Sequence, residues 1–278
     1  MTRPLVIKFG GELIEDRAHL ATVVAALGSI TAGGTPVVIV HGGGREIDAA
    51  LKVAGLEKRQ VEGLRITDQA TLDVVVSVLA GAVNTRFVAA LNTSGVVAVG
   101  LTGADAACGL SAAAPPHRTV DGSLVDLGCV GIPDEGADMR LLHTLTAGRF
   151  VPVIACIGLG RDGQLFNVNA DTFAGHLAAR LGARRLVIAG TTPGVLDAAG
   201  ATLPQLGGDA MATLVSDGTA TAGMIAKLRA CEHALTGGVD DVVIVDGRNQ
   251  ATLEGSATSD TPVAATRLVR NAARMATA

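Results

Sequence analysis

Short apolar runs recur along the chain, and each of them gives way to a segment with helical spacing. The first run, 5–9, ends in two glycines, and the second, 37–40, ends in a histidine and three glycines. Continuous runs of apolar, mostly β-branched residues predict buried strands. Apolar positions three and four residues apart predict helices over 15–30 and 45–54.

The alternation of strand and helix continues along the chain. The pattern predicts further strands at 96–101, 150–157, 186–189 and 242–245, and further helices at 69–92, 140–147, 172–181 and 222–235. Strands that alternate with helices through short loops form a parallel sheet covered on both faces. We therefore predict an α/β fold, a three-layer αβα sandwich with a mainly parallel central sheet.

Some stretches do not follow this alternation. Residues 112–126 are predicted as an irregular loop or hairpin, and 200–220, rich in Gly, Thr and Asp, as a surface excursion. The final residues are predicted as a short strand and a frayed helix. The helix at 69–92 is apolar on nearly every side, so it must be buried in the core or against a second subunit. The sequence leaves both alternatives open.

The two glycine loops are the first candidate for a site. Right-handed crossovers place both at the carboxyl ends of adjacent strands, where parallel sheets bind ligands. The bare amides of Gly10, Gly11, Gly43 and Gly44, next to a helix start, favour an anion. Lys8 adds a positive charge, and together these features indicate phosphoryl chemistry, although each glycine run alone is also typical of a plain turn.

Composition narrows the classes of function. Of the 278 residues, 49% are hydrophobic and 17% are charged, which argues against disorder. Aromatic residues make up 2%, with no Trp or Tyr, and the net charge is −4. Platforms for single-stranded nucleic acid need aromatic stacking and a basic groove, so we expect no nucleic-acid partner.

The high apolar content raises the question of a membrane span. The run 74–83 is followed by Asn84 and Arg86, and it falls short of the roughly 20 apolar residues that a span needs. The N-terminus carries no signal-peptide pattern. Four scattered cysteines without paired spacing are typical of free thiols in a reducing compartment. We expect a cytoplasmic protein that does not enter a membrane.

Five motifs follow one another in a fixed order: Ile-Lys-Phe-Gly-Gly at 7–11, Val-His-Gly-Gly-Gly at 40–44, Glu-Gly-Leu-Arg-Ile-Thr at 62–67, Asn-Val-Asn-Ala-Asp at 167–171 and Gly-Met-Ile-Ala-Lys at 223–227. In this order and spacing they resemble the amino acid kinase family, and the resemblance covers nearly the whole chain. It implies one domain, 1–278. Within it, an N-lobe of about 1–182 would bind the acyl amino acid and dimerise, and a C-lobe of about 183–278 would bind ATP.

The resemblance implies ATP-dependent phosphorylation of the γ-carboxylate of N-acetyl-L-glutamate in arginine synthesis. This reaction brings two anions together, so catalysis must come largely from positioning and charge stabilisation. The resemblance assigns charge neutralisation to Lys8 and Lys227, and the orientation of both lysines to Asp171. Mg²⁺ would arrive on the ATP phosphates, so no protein metal cluster is expected.

Binding residues are implied in the same way. The acyl amino acid would be held by Gly43, Gly44, Arg65 and Asn167, with the guanidinium fork of Arg65 on the α-carboxylate. The nucleotide would be held by two glycine-bearing loops and the start of a helix, at Gly10, Gly11, Thr191, Gly194, Leu196, Gly223 and Met224.

Some positions depart from the family pattern. Thr191 stands where the family usually has an acid or amide, Thr85 where it commonly has a lysine, and Ala265-Thr266 replaces Gly-Thr. Lys8 lies too close to the first residue to leave room for the N-terminal helix of the arginine-inhibited hexameric members. We therefore expect a homodimer that arginine does not inhibit.

Structural alternatives exist for the charged residues. Lys8 could be an ion-paired core lysine, Lys227 part of a solvated face, Asp171 an acid that stabilises its helix, and Arg65 an ordinary surface arginine. His41 is interpreted as structural, because no other histidine or cysteine stands at metal-ligand spacing from it.

Other functions also compete. Within the family these are a kinase for carrier-linked α-aminoadipate or N-succinylglutamate, an aspartokinase, and a catalytically silent sensor of nucleotide or amino acid. An aspartokinase is disfavoured because the chain lacks a C-terminal regulatory domain. A Rossmann dehydrogenase is disfavoured because the glycines are contiguous rather than spaced as G-x-G-x-x-G.

Overall fold

A central sheet organises the part of the chain that this computed structural model describes, residues 2–119, 121–197, 199–216, 222–258 and 264–270. The strands are β1 Leu5–Phe9, β2 Val37–His41, β3 Gln60–Val61, β4 Leu64–Arg65, β5 Ala98–Thr102, β6 Ser111–Ala113, β7 His117–Arg118, β8 Leu124–Val125, β9 Val130–Pro133, β10 Val151–Ala155, β11 Ile157–Leu159, β12 Leu165–Val168, β13 Arg185–Gly190, β14 Gln205–Leu206, β15 Asp241–Asp246 and β16 Ala265–Val269. Eight of them form one sheet in the order β14-β16-β15-β13-β1-β2-β10-β5. Only the β15–β16 pairing in it is antiparallel.

Smaller sheets flank the central one. A four-stranded sheet has the order β11-β12-β9-β6, while β3 pairs with β4 and β7 with β8 in two short antiparallel hairpins. The second hairpin lies within 112–126, where the sequence predicts an irregular loop or hairpin.

Helices cover both faces of the central sheet, as the alternating pattern predicts. They are α1 Gly11–Glu15, α2 Arg17–Ala32, α3 Gly44–Val53, α4 Gln69–Val76, α5 Asn84–Thr93, α6 Arg140–Ala147, α7 Ala170–Arg180, α8 Gly208–Ser216, α9 Ala222–Thr236 and α10 Gln250–Thr258, with a π-helical turn at Ser77–Val83 and a 3₁₀ turn at Asp105–Ala107. Together the layers confirm the predicted αβα sandwich.

Each strand sends alternate side chains into one of two cores. Val6 and Val38 pack with α3, α6, α7, α8 and α9 on one face, whereas Leu5 and Ile7 pack with α2, α5 and α10 on the other. Because side chains alternate along a strand, Lys8 projects to the same face as Val6, which is the face that α7 covers. This places a lysine inside the apolar layer beneath α7.

The structure corrects the prediction for 200–220, which is not a surface excursion over its described part. It contains β14 at the edge of the main sheet and helix α8, with Leu206 and Met211 buried. The few apolar residues here are buried by tertiary packing, so the surrounding Gly, Thr and Asp hide the periodicity. Residues 217–220 lie outside the described residues, as do 271–278, where a frayed helix is predicted.

Other element boundaries also differ from the prediction. The helix expected over 15–30 is observed as α2, Arg17–Ala32, and it is preceded by the short helix α1, which is not predicted. Asp16 ends α1 and caps α2 by accepting the amide hydrogens of Ala18 and His19. The strand expected over 150–157 is divided between β10 and β11 at Cys156. The helix α10 has no counterpart among the predicted helices, and it covers the second face.

The predicted helix at 69–92 is observed as Gln69–Thr93 with the π turn in its middle. By length and composition it could cross a membrane, and 39% of its most apolar 18-residue stretch is buried. Buried helices of globular proteins meet the same criterion, and Asn84, Phe87 and Leu91 of this helix pack into the fold. Its remaining face, which includes Gly81 and Ala82, is exposed. Plain core burial therefore does not account for the whole helix.

Candidate functional site

The two glycine loops meet at the carboxyl ends of β1 and β2. These strands are parallel neighbours, with Phe9 opposite His41. A Cβ placed on Gly11 would lie 2.8 Å from the Cα of Gly43, and one placed on Gly43 would lie 2.8 Å from Leu79 Cδ2. The loops are thus in backbone contact, which only glycine permits, and helices α1 and α3 begin from them.

Two lysines converge on one buried carboxylate beside these loops. Lys8 Nζ lies 2.8 Å from Asp171 Oδ1, and Lys227 Nζ lies 3.6 Å from Asp171 Oδ2. Asp171 stands in the first turn of α7, whose N-cap residue Asn169 accepts its backbone amide hydrogen at 3.0 Å. The structure brings together the three residues to which the resemblance assigns catalysis, although they are 163 and 56 positions apart.

Burial and charge act in opposite directions on these three groups. Burial would raise the pKa of Asp171, but the two lysines hold that pKa below its usual value. Burial would lower the pKa of Lys8, but the Asp171 carboxylate raises it. Burial and the charge of Lys8 lower the pKa of Lys227, which Asp171 only partly offsets. Lys227 is therefore the weaker base of the two lysines.

A cavity of about 240 Å³ adjoins the glycine loops and α7. All four residues predicted to hold the acyl amino acid line it: Gly43, Gly44, Arg65 and Asn167. Arg65 is not a surface arginine, since its side chain is 10% exposed and one guanidinium nitrogen pairs with Asp48. Among the described residues its Nη1 has no hydrogen-bond partner. A buried, unused guanidinium donor at a cavity wall suits a carboxylate ligand.

The residues predicted to bind nucleotide come from separate elements. Gly10 and Gly11 follow β1, where the Gly10 amide donates to Ala189 O of β13 at 3.0 Å. Thr191 follows β13, and its carbonyl accepts from Arg248 at 3.0 Å. Gly223 and Met224 lie in the first turn of α9, four and three positions before Lys227.

The loop after β13 is fixed by a buried threonine. Thr266 Oγ1 accepts the amide hydrogen of Val195 at 2.8 Å and donates to Leu203 O at 2.6 Å. A Cβ on Gly194 would lie 2.4 Å from that hydroxyl, and Gly194 has φ +123°. Leu196 is 40% exposed at the edge of the same loop. The sequence marks Thr266 only as part of a departure from the family pattern, whereas the structure makes it the support of this loop.

Other residues at the site carry no signal of their own in the sequence. Asp48 pairs with Arg65 across 17 positions, and Thr67 Oγ1 accepts from Asn167 Nδ2 at 3.1 Å. The carboxylate of Glu12 lies against Gly10, where a Cβ would approach it to 2.5 Å. Asp48, four positions after Gly44 at the start of α3, could have been proposed from its helical register beside the loop.

His41 lies in the core, which fits the structural role predicted for it. It is fully buried, and burial lowers its pKa to about 4. Its Nε2 accepts from Asn84 Nδ2 at 3.0 Å, and the same amide donates to Val153 O at 2.9 Å. Thr85, the neighbouring departure, is exposed on α5, and nothing in the structure gives it a role.

Comparison with known proteins decides the family. The model of the amino acid kinase family matches residues 3–246. The chain belongs to the amino acid kinase family. An acetylglutamate kinase of Granulibacter bethesdensis is 40% identical over 250 residues, covering 88% of this chain and 83% of that one. An acetylglutamate kinase of Bradyrhizobium diazoefficiens is 40% identical over 252 residues, covering 88% and 84%.

A solved structure supports the amino acid kinase fold. The N-acetylglutamate synthase of Neisseria gonorrhoeae, complexed with coenzyme A and N-acetyl-glutamate, matches with a TM-score of 0.82 at 24% identity. The match covers 97% of this chain and 60% of the synthase, so this chain spans less than two thirds of that protein.

Proposed function

We propose that this amino acid kinase transfers the γ-phosphoryl group of ATP to the γ-carboxylate of N-acetyl-L-glutamate, the second step of arginine biosynthesis. The product is N-acetyl-L-glutamyl 5-phosphate. The observation that carries the proposal is the pair of lysines on buried Asp171, beside two glycine loops and an Arg65-lined cavity. Relatives 40% identical over most of their length are acetylglutamate kinases, which supports the choice of substrate.

In this proposal the two lysines supply positive charge, and Asp171 holds both of them in position. The transferred phosphoryl group carries negative charge on its oxygens in the transition state, and fixed cations in a buried site stabilise it. Lys8 comes from β1 and Lys227 from α9, so the group would be approached by cations from two sides. Asp171 is not a general base here, because two cations keep its pKa low and its carboxylate charged.

The acyl amino acid would lie in the cavity with its α-carboxylate on Arg65. Asp48 holds one side of the guanidinium group, which leaves Nη1 free to donate to the ligand. Asn167, held by Thr67, would meet the acetamido group or a carboxylate. The amides of Gly43 and Gly44 would face the γ-carboxylate, whose charge they would stabilise.

The nucleotide would extend from the glycine loops across the loop after β13 to the start of α9. Gly10 and Gly11 would meet phosphate oxygens, while Thr191, Gly194, Leu196, Gly223 and Met224 would form the rest of its pocket. Mg²⁺ on the phosphates would reduce their charge. The donor set suits this use, because lysine ammonium groups and bare amides bind phosphate rather than a metal ion.

We propose a cytoplasmic homodimer built on the exposed side of the long helix. That side includes the small residues Gly81 and Ala82, and the edge strand β5 lies beside α5. An apolar helix with a face of small residues allows close approach of a second copy. The four cysteines, all within the described residues, are free thiols, in keeping with a reducing compartment. The division into an N-lobe and a C-lobe near residue 182 stays a prediction.

The test is an ATP-consumption assay with N-acetylglutamate, glutamate, N-succinylglutamate and α-aminoadipate, in which hydroxylamine traps the acyl phosphate. We expect turnover with N-acetylglutamate and trapping of its hydroxamate. Faster turnover with a substrate other than N-acetylglutamate would overturn the proposed substrate assignment. No turnover with any of the four would overturn kinase activity in favour of a silent sensor.

A further inference from the structure

Three metal-ligating side chains meet on the side of the molecule formed by α7 and α9. One ligand atom each from Glu135, His176 and His233 lies within 4.8 Å of the other two. The two imidazole rings are stacked, with centroids 5.9 Å apart and planes 15° from parallel. None of the three lines the cavity at the glycine loops, so the proposed kinase function does not use them.

Backbone packing fixes the positions of both histidines. A Cβ on Gly175 would lie 2.6 Å from Ala230 O, and one on Gly237 would lie 2.4 Å from the Cβ of Ala179. Helix α7 is thus in contact with α9 one residue before His176, and with Gly237, the residue that follows α9, four residues after His233. The distance between the two histidine backbones is therefore set by close packing, not by flexible side chains.

The loop that carries Glu135 is also held in place. Asp134 Oδ1 accepts the Gly136 amide hydrogen at 2.7 Å, and the Asp134 amide donates to Leu110 O at 2.8 Å. Arg161 pairs with the same carboxylate at 3.2 Å. The Glu135 side chain itself is 71% exposed and can change its rotamer.

His176 is buried and has a ring nitrogen available to bind a metal ion. It is 2% exposed, and among the described residues its Nε2 has no hydrogen-bond partner. Its Nδ1 lies 3.8 Å from Glu135 Oε1, too far for a hydrogen bond. A buried imidazole nitrogen without a partner is costly in a purely structural role.

We propose that Glu135, His176 and His233 form a binding site for a divalent first-row metal ion of the Zn²⁺ type. Two imidazoles and one carboxylate are ligands that Zn²⁺ takes in sites that keep a fourth position for water. Bonds of about 2.0–2.2 Å bring tetrahedral ligand atoms to about 3.4 Å from one another. The exposed side chains of Glu135 and His233 can close the remaining gap by rotation around fixed His176.

The site would join the two helices that carry the charged residues of the kinase centre. Asp171 lies on α7 five positions before His176, and Lys227 lies on α9 six positions before His233. A bound ion would therefore restrain the helix of Lys227 relative to that of Asp171. Arg180 competes for the Glu135 carboxylate, because its Nη1 lies 3.8 Å from Glu135 Oε2, and Zn²⁺ would have to draw the carboxylate away from it.

The experiment titrates the full chain, after treatment with a chelator, with Zn²⁺ in a calorimeter and with Co²⁺ by visible absorption. Excess Mg²⁺ is present throughout, because it prefers oxygen ligands and does not compete for imidazole. We expect one Zn²⁺ per chain and a tetrahedral Co²⁺ spectrum. In His233→Ala and in Glu135→Gln we expect affinity weakened at least about tenfold, since even outer-shell partners of metal sites are worth about 10–100-fold.

The matched control is His143→Ala, which removes an exposed histidine on α6 outside the cluster and should bind as the unchanged chain does. Residues 135 and 233 are exposed, so both variants should fold, as far-UV circular dichroism can verify. Equal affinity in the unchanged chain and in His233→Ala would overturn the proposal and place the metal elsewhere, for example on Cys129. Absence of Zn²⁺ binding by the unchanged chain would overturn it as well.

Discussion

Two buried clusters in this protein share one composition, an aspartate between two cations. At the carboxyl end of the sheet Asp171 meets Lys8 at 2.8 Å and Lys227 at 3.6 Å. At the amino ends of β13 and β15, Asp241 meets Arg185 at 2.7 Å and Arg267 at 2.6 Å. The first adjoins the glycine loops, and the second lies within strand pairings of the sheet.

The difference lies in how completely the cations are bound. Arg185 binds both oxygens of Asp241 with a guanidinium fork and donates a further bond to Ser256 O at 2.7 Å. Such a fork fixes orientation, which suits a structural role. Lysine is a compact charge with three rotatable donors, and Lys227 is held loosely. One aspartate and two cations therefore form a rigid structural ion-pair cluster at one end of the sheet. At the other end the same combination leaves positive charge available to a ligand.

The largest expected effect is on stability, from Asp241→Ala. Removing the carboxylate leaves Arg185 buried without its counter-charge, which costs about 3–5 kcal/mol in the free energy of unfolding. Denaturation with urea measures it, and kcat of the folded fraction should not change. A fall in kcat without loss of stability would assign Asp241 to the catalytic cluster and break the comparison.

Next in size is the loss of kcat in Lys8→Ala and in Lys227→Ala. Each should lower kcat by about 10²–10³, as the loss of one oxyanion donor does, because the transition state loses a fixed charge. The matched control is Lys52→Ala, on the exposed side of α3, which should leave kcat unchanged. If the removal of a lysine changes kcat no more than the control does, that lysine has no catalytic role.

The pH dependence of kcat should follow Lys227. Its pKa is lowered by burial and by the charge of Lys8. The group must be protonated to act, so kcat should fall as pH rises through a value below 10.5, the usual pKa of lysine. Steady-state rates at saturating substrates measure the profile. A rate that stays constant up to pH 10.5 would mean that the charge of Lys227 is not needed.

The smallest effect is expected from Arg267→Ala. This side chain is 34% exposed, and Arg185 still neutralises Asp241 in its absence. We expect a loss of less than about 1 kcal/mol in unfolding free energy, because the side chain that is removed is partly solvated. The same denaturation measures it. A loss as large as that of Asp241→Ala would show that the aspartate needs both cations.

The features of this molecule that could be predicted from its sequence are those that depend on local sequence patterns. The glycine loops, Lys8 and the layered fold are predictable because strand, turn and helix signals lie within short windows. Asp171 and Lys227 could be paired only through the family resemblance, because their contact joins elements 56 positions apart. The roles of those residues remain predictions, although the structure brings them together.

The features that sequence reasoning missed depend on tertiary contacts. The pairing of Arg185 with Asp241 gives no local pattern, because each is one polar residue at the start of an apolar strand. Helix α8 lies in a stretch whose composition is typical of a loop, and it is stabilised by the packing of Met211 into the core. The support that Thr266 gives to Val195 spans 71 positions.

The π turn at Ser77–Val83 has a consequence for changes in chain length. Leu79, within the turn, packs on one face of the sheet, whereas Phe87, after it, packs on the other. A π turn contains one residue more than regular winding. Deletion of a single residue there, for example exposed Gly81, would turn the preceding half of the helix by about 100° relative to Asn84. Point substitutions on the exposed side should be tolerated, whereas shortening this segment by one residue would separate Leu79 from Gly43.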